Sequence, residues 1–151
     1  MKKFKYLSGS YEQTMELAAK IASQLKGGEI IELVSDFGGG KTTFVKGLLS
    51  ILNKKSNVTS PSFTLLNEYK LNNLDIYHYD FYRLHDAGLM KKEISEKLNQ
   101  KNSVVIIEWS DVIKDILPND KISINFKVLS ENSRQINCEY TDKYNYIFKN
   151  L

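Results

Sequence analysis

The stretch SDFGGGKT, residues 35–42, lies between the apolar run EIIELV, residues 29–34, and the segment KTTFVKGLLSIL, residues 41–52. EIIELV is short, β-prone and bounded by glycines, so it reads as a buried strand. In the following segment Phe44, Val45, Leu48, Leu49 and Leu52 recur at helical spacing, so Lys41 opens a helix. A strand, a glycine-rich turn and a helix form the setting of the phosphate-loop pattern G-x-x-x-x-G-K-[ST]. Glycines let backbone N–H groups converge on a polyphosphate, and the helix start adds partial positive charge.

On this reading Asp36, Phe37, Gly38, Gly39, Gly40, Lys41, Thr42 and Thr43 are the expected phosphate contacts. Lys41 would neutralise the β and γ phosphates of a bound nucleotide, and the Thr42 hydroxyl would go to Mg2+. Ser35 stands at the first position, where the pattern has glycine. If that position requires φ > 0, serine there costs about 1 kcal/mol. The expected effect falls on turnover more than on binding.

A phosphate loop needs a carboxylate to hold the metal shell or to orient the attacking water. Glu108 closes VVIIEW, residues 104–109, the most apolar short run in the chain and a predicted central strand. Asp80 closes DIYHYD in the same manner. Ligands of open α/β sheets bind at the carboxyl ends of strands, so both acids are expected at the metal and both are assigned catalytic roles with Lys41; the alternative for each is a strand-end carboxylate that caps a turn or pairs with a lysine. Trp109 follows Glu108, and strand alternation sends it to the opposite face. It is a candidate base or partner contact, with core packing as the alternative. The stripe Tyr77, Tyr79, Phe81 and Tyr82 offers an RNA-stacking platform. A half-buried sheet face is the simpler account. His78 and His85 form no ligand cluster and read as structural or surface residues.

Outside the loop, Ser10 is a predicted N-cap, with Gln13 completing a capping box, for a helix over residues 11–25 that Gly27 and Gly28 end. Residues 63–69 and 74–80 form a predicted hairpin around LNN. Residues 89–98 read as a helix. KISINFKV and RQINCEY alternate in period two around SENS and predict a terminal antiparallel pair. The expected architecture is α/β: a P-loop NTPase-like mixed sheet flanked by helices, one domain over residues 1–151.

Composition agrees with a soluble globular protein, 42% hydrophobic and 26% charged. The formal net charge of +3 is well short of a dedicated nucleic-acid binder, so no DNA partner is expected. Arg83 and Arg134 are the only arginines, too few for an arginine-lined lid over phosphates. Cys138 is the lone cysteine, which rules out an internal disulfide. The opening MKKFKYLSGSYEQT has no apolar core segment, and no apolar run approaches the length of a membrane span. The expected setting is cytoplasmic, with no membrane partner.

Four stretches, SDFGGGKTTFVKGLL, VTSPSFTLLNEY, YHYDFYRL and VVIIEW, together resemble the bacterial P-loop family TsaE, also called YjeE. The resemblance implies ATP binding with slow, Mg2+-dependent hydrolysis. It also implies a requirement in forming N6-threonylcarbamoyladenosine at position 37 of tRNAs that read codons beginning with adenine. The implied partners are TsaD and TsaB, with tRNA reached indirectly through their complex. It implies working roles for Lys41, Thr42, Asp80 and Glu108. It makes VTSPSFT a switch-like element, with Thr59, Ser60 and Thr64 as secondary candidates. The rival readings are a small-molecule P-loop kinase, a GTPase, which would lack its N-K-x-D string here, and a non-catalytic nucleotide-binding scaffold.

Overall fold

Strand alternation divides the apolar residues between two faces of one seven-stranded sheet, and that division places every helix. The computed structural model describes residues 1–51 and 65–151. Its elements are β1 (Lys2–Ser8), α1 (Tyr11–Ala22), β2 (Ile30–Val34), α2 (Lys41–Leu49), β3 (Leu66–Leu71), β4 (Leu74–Asp80), α3 (Met90–Leu98), β5 (Ser103–Glu108), β6 (Ile122–Val128), β7 (Arg134–Tyr140) and α4 (Asn145–Phe148). Sheet order is β1-β7-β6-β2-β5-β4-β3. The inner strands β6, β2, β5 and β4 run parallel, while β3 and the pair β7 and β1 are antiparallel additions at the two edges. The sheet is therefore mixed and flanked by helices, as the sequence predicts.

Every residue of β5 is buried, which a central parallel strand covered on both faces requires. Val104 and Ile106 join Ile31, Leu33 and Ile76 under α1 and α2. Val105 and Ile107 join Ile30, Tyr77, Tyr79 and Phe81 on the other face, against Ile94 and Leu98 of α3. The aromatic stripe thus resolves in favour of the sheet face for Tyr77, Tyr79 and Phe81, which are buried. Tyr82, beyond the end of β4, is 43% exposed.

α1 and α2 cross closely. A Cβ on Gly47 would lie 2.4 Å from Met15 Cα and 2.5 Å from Met15 O, so glycine sets the helix separation. The N-cap is as predicted: Ser10 is extended, and its Oγ accepts from Gln13 N at 3.2 Å. The return arm of the box differs by one residue, since Gln13 Oε1 accepts from Gly9 N at 2.7 Å. α1 ends at Ala22, short of the predicted limit, and the chain then tightens into i→i+3 bonds from Gln24 N and Leu25 N.

Two elements were not anticipated. KKFKYLS is a strand, paired with β7 from Lys2↔Tyr140 to Ser8↔Arg134. Its exposed lysines make it read as a basic opening; on an edge strand lysines discourage pairing with another chain. The short α4 packs Ile147 and Phe148 into the core. Among the described residues, no helix is long and apolar enough to cross a membrane.

Candidate functional site

The loop between β2 and α2 emerges at the carboxyl ends of the parallel strands, where β5 and β4 also finish. Asp80 and Glu108 are register partners on those two neighbouring strands. Lys41, Thr42, Thr43 and residues 37–40 line one cavity of about 310 Å³ together with Asp80, Glu108, Tyr82, Trp109, Tyr11 and Arg134. That volume is at the small end for a ligand pocket. A larger groove of about 970 Å³ shares Gly39 and Trp109 with it but contains none of Lys41, Thr42, Asp80 and Glu108. The smaller cavity is where the chemistry-bearing side chains converge. Thr59, Ser60 and Thr64 lie outside the described residues.

The loop backbone is shaped for close approach. Gly38 and Gly40 have φ of 76° and 113°, conformations that side chains with a Cβ rarely adopt. α2 starts at Gly40 with no side-chain cap, in contrast to α1. Its first-turn N–H groups and positive end are therefore suited to an anion. Ser35 is not among the described residues with positive φ, so the anticipated backbone penalty at this position does not arise. The strand turns into the loop there with ordinary geometry, and the left-handed conformations fall at Gly38 and Gly40.

Lys41 is buried, and burial is the chief cause that lowers its pKa, opposed by Glu108, then Asp80, then Asp36. Its Nζ donates to Ser35 Oγ at 2.9 Å, Ser35 O at 3.1 Å and Asp36 O at 3.3 Å. It also lies 4.6 Å from the Trp109 ring centroid. The three surrounding carboxylates favour the charged form, so the lysine remains suited to a polyphosphate.

Trp109 packs against the core cluster of Val105, Ile107 and Tyr79, the face opposite Glu108 that alternation predicts, and it also borders the cavity. Its φ of 56° and ψ of 54° end β5 at Glu108, and the indole lies where the second core cluster meets the cavity. With Tyr82 (centroids 5.2 Å apart) and the 83% exposed Phe37 (5.9 Å from Tyr82) it forms an aromatic rim above Lys41.

Two residues that the sequence reading left aside hold this site in shape. His78 sits on the same face of β4 as Asp80, one pair below it. Its Nε2 donates to Glu108 Oε1 at 2.8 Å, with side-chain exposures of 1% and 3%. The HxD spacing was the signal: residues two apart on a strand share a face. Arg134 begins β7 and donates from Nε to Gly39 O at 3.1 Å, while its Nη1 donates to the carbonyls of Ser130, Glu131 and Ser133. This guanidinium ties the loop to the β6–β7 turn. It is no mobile lid. No local pattern could have shown a contact across 95 positions.

The donor set suits a nucleotide-bound divalent ion better than a protein-only metal centre. Among the described residues, no three or more His, Cys, Asp or Glu side chains group to hold a metal. Magnesium takes one or two protein oxygens and completes its shell with phosphates and water. Thr42, Asp80 and Glu108 supply oxygens of that kind. Asp80 Oδ1 also accepts from Tyr82 N at 2.9 Å, which orients its carboxylate.

The family model described as "Threonylcarbamoyl adenosine biosynthesis protein TsaE" matches residues 8–136. A relative in Rickettsia felis, described as tRNA threonylcarbamoyladenosine biosynthesis protein TsaE, is 39% identical over 125 residues, covering 82% of this chain and 72% of its own. A relative of the same description in Aquifex aeolicus is 40% identical over 129 residues, covering 84% and 89%. The crystal structure of Bacillus subtilis YdiB superposes with a TM-score of 0.78 at 29% identity, covering 99% of this chain and 93% of that one.

Proposed function

The chain belongs to the TsaE family of threonylcarbamoyl adenosine biosynthesis proteins, and from that premise we propose that it binds Mg-ATP at the Lys41 loop and hydrolyses it slowly. It does so in the service of a TsaD–TsaB complex that forms N6-threonylcarbamoyladenosine at position 37 of tRNAs reading codons that begin with adenine. The observation that carries the ATP reading is the convergence of Lys41, Thr42, Asp80 and Glu108 on one cavity at the start of an uncapped helix.

In this mechanism the N–H groups of residues 38–43 cradle the phosphates, and Lys41 Nζ places its charge on the β and γ oxygens. Thr42 Oγ1 and the Asp80 and Glu108 carboxylates would hold a magnesium ion, whose charge would neutralise that of the phosphates. Glu108, fixed through Oε1 by His78, presents its other oxygen to a water. The aromatic rim of Phe37, Tyr82 and Trp109 restricts solvent above Lys41. Nucleotide binding orders the docking surface for the partners, and hydrolysis releases it.

The deciding experiment is ATP hydrolysis with and without TsaD and TsaB, with Lys41→Ala as control. Stimulation by the pair, lost in the variant, is the expected result. Partner binding that ignores nucleotide overturns the switch. Glu108→Ala separates an ATPase from a scaffold, since a scaffold keeps its cellular role in that variant. Turnover of a small-molecule acceptor well above plain hydrolysis would favour a kinase instead.

A further inference from the structure

An ammonium group has three N–H donors, and the structure engages all three of Lys41 with oxygens from the first two loop residues. Two of these acceptors, Ser35 O and Asp36 O, are main-chain atoms that any residue would supply. The third, Ser35 Oγ, exists because serine stands where the loop pattern has glycine. The hydroxyl is itself held, donating to Asp36 O at 2.9 Å, so Oγ, Asp36 O and Nζ close a hydrogen-bonded ring. A phosphate oxygen that accepts a hydrogen bond from Nζ has to displace one of the three.

The same side chain dictates residue 39. A Cβ on Gly39 would lie 2.3 Å from Ser35 Oγ and 2.5 Å from Ser35 Cβ. Gly39 is not among the glycines with positive φ, so its backbone would accept an alanine. The nearest obstacle is the serine side chain, followed by Asp36 O at 3.1 Å, a tight contact that a shift of a few tenths of an ångström relieves. Glycine at 38 and 40 answers to conformation, whereas glycine at 39 answers to space.

We propose that Ser35 is a positioning residue that holds Lys41 against the incoming phosphate, weakening nucleotide binding relative to a hydroxyl-free side chain, and that its side chain is the chief obstacle to anything larger than glycine at 39. The inference rests on the nucleotide-binding reading above. It makes Ser35 a device that tunes affinity, and it couples positions 35 and 39, only one of which has room for a side chain.

The test is calorimetric titration of Mg-ATP into the full chain and four variants, with thermal melting monitored by circular dichroism. Ser35→Ala keeps the Cβ and removes the hydroxyl; it should bind roughly three- to tenfold tighter, the worth of one hydrogen bond. General damage to the loop could only weaken binding, so the direction separates this role from a merely structural one. Gly39→Ala should bind at least about tenfold more weakly, from overpacking. Ser35→Gly combined with Gly39→Ala should recover to within about threefold of Ser35→Gly alone, since close neighbours couple. Ser35→Ala and Ser35→Gly should melt within a few degrees of the parent, whereas Gly39 is buried, so Gly39→Ala should also melt lower and the double variant should regain most of that loss. Unchanged or weaker binding by Ser35→Ala overturns the holding role, and failure of the double variant to recover overturns the coupling. Absence of heat from the parent and all four variants removes the nucleotide reading itself, and this proposal with it. Heat in the parent that Ser35→Ala leaves unaltered removes the holding role only.

Discussion

Breaking the His78–Glu108 pair is expected to expose how much of the site's geometry is bought with stability. The two side chains meet at 2.8 Å, and both are almost wholly buried. His78→Leu leaves the Glu108 carboxylate without its histidine partner. Removing one partner of a buried, hydrogen-bonded charge costs about 3–5 kcal/mol. Lys41 lies close enough to act on Glu108 electrostatically and offsets part of that loss. The expected destabilisation is therefore about 2–3 kcal/mol, or about 4–12 °C in melting temperature for a chain of this length. Glu108→Leu strands the His78 donor and should cost about 1–3 kcal/mol. The double variant replaces both polar groups by apolar ones and should lose at least about 1 kcal/mol less than the two single losses together. Urea unfolding of parent, singles and double at pH 7, with the slope checked for constancy, supplies the comparison. Losses that add within about 0.5 kcal/mol would show that the two residues do not support each other, and the orienting role given to His78 would fall.

Other perturbations test the surroundings of the site. Gly47→Ala raises helix propensity by about 1 kcal/mol, yet its Cβ would enter the Met15 backbone; net destabilisation of about 1–2 kcal/mol is expected by urea unfolding, and a gain in stability would contradict the close crossing. Arg134→Lys cannot reproduce the fork onto Gly39 O and the Ser130, Glu131 and Ser133 carbonyls, so it should lose about 1.5–3 kcal/mol in thermal melting; a parent-like melt would remove the brace. The Thr141 hydroxyl, and after it Lys143, hold the Asp120 carboxyl below its ordinary value against the opposing effect of burial. A depressed carboxylate stabilises above its unfolded value and loses that contribution as pH falls through the folded one. Asp120→Asn should therefore lose about 0.5–1 kcal/mol at pH 7, discounted for solvent screening, with a gap to the parent that narrows in acid. A gap of equal size in urea melts at pH 7 and pH 3 would reject the linkage.

The glycine loop, the strand before it and the helix after it were legible because each is written locally. Glycine spacing, a five-residue apolar strand and helical recurrence from Phe44 to Leu49 lie within 20 consecutive positions. Asp80 and Glu108 were legible as strand-terminal acids, since β-propensity and alternation mark where the strands stop. Tertiary structure alone decided what meets these groups. Parallel register sets Asp80 beside Glu108, and the shared face of β4 brings His78 beneath them. The antiparallel return of β7 carries Arg134 to Gly39. Trp109 kept the face that alternation gave it, and its contact with the cavity depends on where the left-handed turn after β5 sets the ring, which no periodicity encodes. A Cβ at Gly39 would meet first the atoms of Ser35, four residues away, and packing distances of that kind exist only once the loop is folded.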